Sequence, residues 1–187
     1  MKLSILILSL TKRLHHLTNL LAILKPQLIE NEVELILEID EGQQTIGEKR
    51  NSAMKRATGD YVCYIDDDDE VANNYVELIL NAIKNDPDCC SLTGVYTVDG
   101  KNHETFKHSI LYSEWRTNTH PNAEVKYERY PNHLNVIRKS IAEKYSFAPV
   151  NHGEDQDWST RINKDRVLIQ EAQIGECIYY YKYVSNK

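Results

Sequence analysis

At 187 residues, with 41% hydrophobic and 27% charged side chains, the chain has ordinary globular usage and enough length to bury a sizeable core. A formal net charge of -6 and a pI near 5.6 exclude a protein that coats nucleic acid through a basic surface. No apolar run approaches the roughly 20 residues that span a bilayer, and Cys63, Cys89, Cys90 and Cys177 form no C-x-x-C pair, so they read as reduced thiols of a cytosolic-type compartment rather than as a zinc site.

Leu3 to Leu10 reads as a first core strand; it meets Lys12-Arg13 rather than a small-residue cleavage site, which argues against a signal peptide. Leu14, Leu17, Leu20, Leu21 and Leu24 then recur at helical spacing until Pro26 stops the pattern. Val33 to Ile39 is a second strand ending at Asp40-Glu41-Gly42, and Gly47 to Ala57 a helix. Thr58-Gly59-Asp60 turns that helix into a third strand, Tyr61 to Ile65, rich in aromatic and β-branched residues. An acidic loop follows, then a helix over Val71 to Ile83 and a strand over Cys90 to Val98. The polar stretch 101–132, rich in Tyr and His, reads as an inserted hairpin or long loop. Ser140 to Tyr145 and Asp155 to Ile162 read as helices, and Ile174 to Tyr183 as a terminal strand. Alternation of strand and helix predicts βαβ units and an α/β fold, with a mixed, mainly parallel sheet flanked by helices.

In a parallel sheet the carboxyl ends of the first three strands share one rim, where open α/β sheets place their ligands. Those ends bring Ser9, Thr11 and Arg13, then Asp40 and Glu41, then Asp66-Asp67-Asp68-Asp69-Glu70. Carboxylates about 4 Å apart repel by roughly 4 kcal/mol at an effective dielectric near 20. They call for a cation, and hard oxygen ligands suit Mg²⁺, Mn²⁺ or Ca²⁺, which at such an edge bridges to phosphate. A solvated acidic turn is the plainer reading of the same run. An EF-hand is set aside, because Val71 stands where its loop needs glycine and no helix precedes it.

Two further constellations carry polar chemistry. Gly47 permits a tight helix entry whose first amides favour an anion, and Lys49 and Arg50 could reach a nucleotide base or diphosphate while Asn51 orders the loop. In Asn151 to Trp158, Glu154 and Asp155 follow Gly153; they either cap a helix or carry chemistry, and Trp158 offers a flat face for a sugar or fills the core. His133 reads as a substrate contact or a hydrogen-bonded structural histidine, and Tyr179-Tyr180-Tyr181 as packing on a strand.

Taken in order, these residues resemble the GT-A fold glycosyltransferases of the family 2 type. The resemblance rests on Leu10-Thr11-Lys12-Arg13, Asp40-Glu41-Gly42, Gly47 near Lys49-Arg50-Asn51, Gly59-Asp60-Tyr61, Asp66 to Asp69 as the acidic "DxD" loop, and Gly153-Glu154-Asp155. It covers about residues 3 to 160. It implies a single Rossmann-like GT-A domain over 1–187, with a nucleotide-binding half to about residue 100 and an acceptor half, bearing the general base, beyond it. Thr11 and Asp40 would line the base pocket with Arg50 nearby, and Arg13, Gly47 and Lys49 would serve the nucleotide sugar. Asp66 and Asp67 would meet the ribose or the metal shell, Asp68 (with Asp66) would hold Mn²⁺ or Mg²⁺, and Asp155 would be the catalytic base. His133, Glu154 and Trp158 are the acceptor-side candidates. The turn Ser9 to Arg13 departs from the family in lacking proline, and no metal-binding histidine is evident after His152.

The activity this implies is metal-dependent, inverting transfer of a sugar from a nucleotide-diphosphate donor, UDP favoured, to a carbohydrate-type hydroxyl. The expected partners are that donor and a glycan acceptor, with no nucleic acid and no integral membrane segment. The expected location is cytoplasmic, free or at the periphery of a membrane. The alternatives are a non-catalytic nucleotide- or Ca²⁺-binding module of the same fold, or a sugar nucleotidyltransferase. The latter would want a glycine-rich first loop, and Ser9 to Arg13 contains no glycine.

Overall fold

The computed structural model describes residues 1–120 and 122–185; position 121, within the expected acceptor half, and the final two positions lie outside the described residues. The central layer is a six-stranded sheet whose core is three parallel strands: β1 (Leu3–Leu10) lies between β2 (Val33–Asp40) and β3 (Tyr61–Asp66). β1 and β3 are buried along nearly their whole length, as parallel strands covered on both faces are, whereas the edge strand β2 carries Glu34 and Glu38 on one face. Leu3, Ile5 and Ile7 of β1 pack on one side with Leu17, Leu20 and Leu24 of α1 (Leu14–Leu24), whereas Leu6 packs on the other with Ala53 and Met54 of α2 (Ile46–Arg56). The leucine spacing and the period-2 alternation are thus both read out by burial.

After β3 the chain departs from expectation. Glu70–Val71 form a short strand, β4, and α3 begins only at Tyr75 (Tyr75–Ala82). The reason is a partner far along the chain. Val71 and Glu70 pair with Tyr179 and Tyr180 of the last strand, and the Ala72 amide donates to Ile178 O at 3.1 Å, so the helix cannot start there. The expected strand over Cys90 to Val98 is likewise two strands. β5 (Cys89–Cys90) belongs to the first sheet and β6 (Leu92–Val98) to a second, and the break is Ser91, whose backbone amide and hydroxyl both bond to the segment 172–174.

The second sheet holds β6 and β7 (Lys101–His108) as an antiparallel pair, then β8 (Arg116–Thr117) and β9 (Tyr127–Arg129), so the inserted 101–132 segment is three strands with connecting loops. β10 (Ile137–Arg138) returns to the first sheet, antiparallel to β3 and β5. A short α4 (Lys139–Ala142) follows, then α5 (Glu154–Asp165), β11 (Glu171–Ala172) beside β5, and β12 (Cys177–Tyr183) beside β6. Both sheets are therefore mixed, with the parallel trio forming one side of the first and β2 its edge. Gly94 of β6 lets the neighbouring strands β7 and β12 approach closely: a Cβ there would stand 2.3 Å from Phe106 Cζ and 2.6 Å from Tyr179 O. All four cysteines are free thiols, and burial pushes the Cys63 thiol up to about 12. Among the described residues no helix is long and apolar enough to cross a membrane.

Candidate functional site

The predicted rim forms. Leu10 is level with Asp40 and Leu8 with Asp66, so the ends of β1, β2 and β3 lie side by side. Thr11 is exposed there, its Oγ1 donating to Asp40 O at 3.2 Å. The four aspartates of the loop have four different surroundings. Asp67 is 4% exposed, accepts Ser9 Oγ at 2.6 Å, and takes a two-point ion pair from Arg13, whose Nη2 also lies 3.0 Å from Asp68. Asp69 is 3% exposed and accepts Tyr179 Oη and the Lys182 amide, both at 2.8 Å. Burial, then the neighbouring Asp66 charge, push the Asp69 carboxyl up to about 7 against those two donors. Asp66 and Asp68 keep solvent access and line a cavity of about 340 Å³ with Asp69, His152 and the end of β12. Burial works to raise the Asp66 carboxyl, but the Arg50 guanidinium and His133 outweigh it and hold it well below the usual carboxylate range.

Several residues expected at the ligand are paired within the protein. The first four amides of α2 are already bonded: Ile46 N to Asn151 Oδ1, Gly47 N to Val150 O, Glu48 N to Thr45 Oγ1 and Lys49 N to Thr45 O. Thr45 and Glu48 complete a capping box, so this helix start has no amides left for an anion. Gly47 is required for packing: a Cβ would stand 1.8 Å from Ala148 O. Lys49 is 4% exposed and its Nζ binds Ser9 O at 2.9 Å and Asp40 Oδ1 at 2.8 Å, which leads the causes holding the Asp40 carboxyl low. Arg50, equally buried, bridges Asp66 (3.3 Å) and Glu154 (3.2 Å) with its Cζ 5.0 Å from the Tyr64 ring centroid. These cations neutralise the rim from behind, and Arg50 Nη1 is left without a hydrogen-bond partner. Asp67 is likewise paired, with Ser9 and Arg13. Asn51 does order the loop, pinning Phe147 N and O at 2.8 and 2.9 Å.

Asp155 comes from the other side. Gly153 stands at a φ of +79°, a left-handed turn that favours glycine, and opens α5 so that Asp155 falls in its first turn, where the helix dipole favours negative charge. His133 stands between the two acidic groups, with Nδ1 3.5 Å from Asp155 Oδ2 and Nε2 3.6 Å from Asp66 Oδ2. Its ring is 94–95% buried and neither nitrogen has a hydrogen-bond partner among the described residues. Of the acceptor-side candidates, Glu154 is buried against Arg50, and Trp158 is 1% exposed, stacked on Phe147 at 4.8 Å and donating Nε1 to Tyr145 O. Neither can face an acceptor, because each is sealed in the core.

The structure adds residues that sequence patterns did not single out. Tyr179 positions the acidic loop: besides holding Asp69, its Oη accepts the Asp66 amide at 3.3 Å. His152 reaches the cavity of the acidic loop from the turn before α5. Beside Asp155 opens another cavity, of about 430 Å³, walled by aromatic residues of the second sheet. A larger one, about 720 Å³, lies at the opposite strand ends around Gly59 and Arg138 and contains none of the predicted site residues.

The chemistry of these donors suits a cation shared with phosphate. Among the described residues no three of His, Cys, Asp and Glu form a closed metal cage. Mg²⁺-type sites commonly use one or two carboxylates and complete the shell with substrate oxygens and water, and Asp66 and Asp68, open to one cavity, fit that pattern.

Comparison with known proteins agrees with this fold. No curated protein sequence matches the chain. Among solved structures, residues 1–349 of S. aureus TarS superpose with a TM-score of 0.72 at 16% identity, over 97% of this chain and 60% of that one. The same protein in complex with UDP gives 0.70 at 16% identity, over 97% and 60%, and in complex with UDP-GlcNAc 0.71 at 16%, over 100% and 60%. The chain thus spans about three fifths of the length of those structures. Residues 26–146 match the family model described as glycosyl transferase family 2, a span that includes α2, β3 and the whole acidic loop. With well over half of its length matched and the rim of that fold in place, the chain belongs to glycosyl transferase family 2.

Proposed function

We propose that this chain catalyses metal-dependent, inverting transfer of a sugar from a UDP-sugar to a saccharide hydroxyl. The observation that carries the reading is the opposition of two acidic groups across His133, Asp66 at the strand rim and Asp155 at the start of α5. In-line displacement needs a leaving-group site and a proton acceptor on opposite sides of the donor sugar. The bound UDP and UDP-GlcNAc of the TarS structures support a uridine nucleotide as the donor.

Asp155 takes the proton of the attacking hydroxyl as its oxygen bonds to the anomeric carbon and the bond to the diphosphate breaks, so the anomeric centre inverts. Asp68 and Asp66 would hold Mn²⁺ or Mg²⁺, which neutralises charge on the departing diphosphate. Thr11 and Asp40 border the nucleoside at the ends of β1 and β2, while Arg13, Lys49 and Arg50 hold the acidic rim in shape from within.

Calorimetric titration of UDP and GDP with and without Mn²⁺ tests the donor side. UDP binding that requires the metal and weakens at least tenfold in Asp68→Asn is expected; failure of both nucleotides to bind with metal present refutes the proposal. On the chemical side, Asp155→Asn should retain UDP binding and lose transfer. Unchanged transfer in that variant removes Asp155 as the base, whereas absence of transfer in the wild type, with UDP still bound, favours the non-catalytic module.

A further inference from the structure

The aromatic cavity beside Asp155 has a composition of its own. Tyr181 of β12 sits in register with Tyr96 of β6, and their rings stack at 5.4 Å and 20°. Tyr127 of β9 meets Tyr96 edge-on at 5.4 Å across the intervening β7, so three strands contribute to one aromatic cluster. Alternation along the strand puts Tyr183 on the same face as Tyr181, and its ring lies 6.4 Å from Tyr96. Asp155 and His133 stand at the inner edge of this cluster. Aromatic rings with polar edges bind the C–H face of a sugar while leaving its hydroxyls free to reach donors and acceptors at the wall.

Apart from Asp155, the cavity carries no carboxylate, and Arg129 and Trp115 bring donors to its lining. Arg129 lines the cavity with its Cζ 5.2 Å from the Trp115 ring and 5.5 Å from the Tyr127 ring. Its Nη1 donates to Arg116 O at 2.6 Å and Glu128 O at 2.8 Å, which fixes the guanidinium plane. Among the described residues it makes no ion pair, and neither Nε nor Nη2 has a hydrogen-bond acceptor, in a protein of net charge -6. Trp115 Nε1, on the same wall, is a buried donor with no partner. A buried N–H without a partner costs free energy unless an external acceptor satisfies it, and Arg129 stands beside it with Nε and Nη2 free to donate. Burial depresses the Arg129 guanidinium, opposed by Tyr127.

We propose that this cavity is the acceptor subsite and that it takes an anionic saccharide, the sugar ring lying on Tyr96 and Tyr181 and its carboxylate or phosphate group on Arg129 and Trp115 Nε1. The assignment of the bound sugar as acceptor rests on Asp155 being the base of a glycosyl transfer; the anion preference of the cavity stands on Arg129 and Trp115 alone.

Trp115 serves as the reporter, since the other tryptophan, Trp158, is sealed in the core. Emission is followed while glucose 6-phosphate, glucuronic acid, glucose and inorganic phosphate are titrated separately into the full chain. At least one anionic sugar should bind roughly tenfold or more tighter than both glucose and inorganic phosphate, as a charge-assisted contact requires. Tighter binding of glucose 6-phosphate assigns a phosphate-bearing acceptor, and tighter binding of glucuronic acid a carboxylate-bearing one. Arg129→Gln should erase that preference and Arg129→Lys retain part of it, with each variant's melting temperature reporting on its fold. Equal binding of glucose and the anionic sugars, equal binding of inorganic phosphate, or a preference that survives in a folded Arg129→Gln overturns the proposal. UDP titration of the same samples with Mn²⁺ present separates the two readings. UDP binding without anion preference sinks the cavity assignment alone, while anion preference without UDP binding sinks the transferase reading and leaves the cavity's ligand class standing.

Discussion

Arg50 offers the sharpest test of how the site is held. Its guanidinium lies between α2, the end of β3 and the start of α5, 3.3 Å from Asp66 and 3.2 Å from Glu154. Replacing it with methionine keeps the stem against Tyr64 and Phe147 but removes the charge. Asp66 retains His133 and one third of its surface in water, so it can rehydrate. Glu154 cannot: its side chain is 5% exposed and Arg50 is its ion-pair partner. Breaking a buried pair from one side costs about 3–5 kcal/mol because the remaining charge is stranded. At a urea m-value of about 3 kcal/mol/M, the midpoint of Arg50→Met should fall by about 1–1.7 M. Adding Glu154→Gln removes the stranded charge, so the double variant should recover at least about 1 kcal/mol relative to Arg50→Met. Urea denaturation followed by far-UV circular dichroism on the wild type, both single variants and the double variant closes the cycle. A loss under about 1 kcal/mol in Arg50→Met, or strictly additive losses in the double variant, would show that Arg50 does not compensate Glu154.

Two further outcomes follow from packing and burial. Gly94→Ala pushes a methyl group against Phe106 and the Tyr179 carbonyl, and since the backbone atom cannot swing aside the variant should lose about 1–3 kcal/mol; a melting temperature equal to wild type contradicts the close approach. Burial, opposed by the Asn135 hydrogen bond, pushes His108 down to about 3, so the folded state binds fewer protons than the unfolded state between there and the ordinary histidine value near 6.5. Stability tied to neutral His108 is therefore complete above about pH 6.5 and is lost as pH falls toward 3, at up to about 1.4 kcal/mol per pH unit. His108→Gln should flatten the profile of stability against pH in that window, whatever its cost at pH 7; an unchanged slope places the acid sensitivity elsewhere.

How much of this was legible in the chain depends on where each element finds its partner. From Leu3 to Asp66 the strands and helices follow their own periodicity, because each buries a face on its immediate successor and the parallel trio is covered on both sides. The acidic rim was legible for the same reason, since parallel strands end together. Periodicity failed at Val71 and at Ser91, where the deciding hydrogen bonds come from residues about a hundred and about eighty positions away in β12 and the segment 172–174.

Residue types alone were enough to determine an α/β chain with an acidic edge, a base-like aspartate after Gly153 and the order of motifs that marks its family. Which of those side chains are buried and paired and which stay open to a cavity was decided by tertiary structure alone. Lys49, Arg50, Asp67 and Glu154 are paired with one another's neighbours inside the rim, and Trp158 is in the core, because charges and rings brought together by folding satisfy each other before any ligand arrives. Conversely, Trp115, Arg129 and Tyr181 are spread over three parts of the chain with no shared spacing; only the pairing of β12, β6, β7 and β9 gathers them beside Asp155.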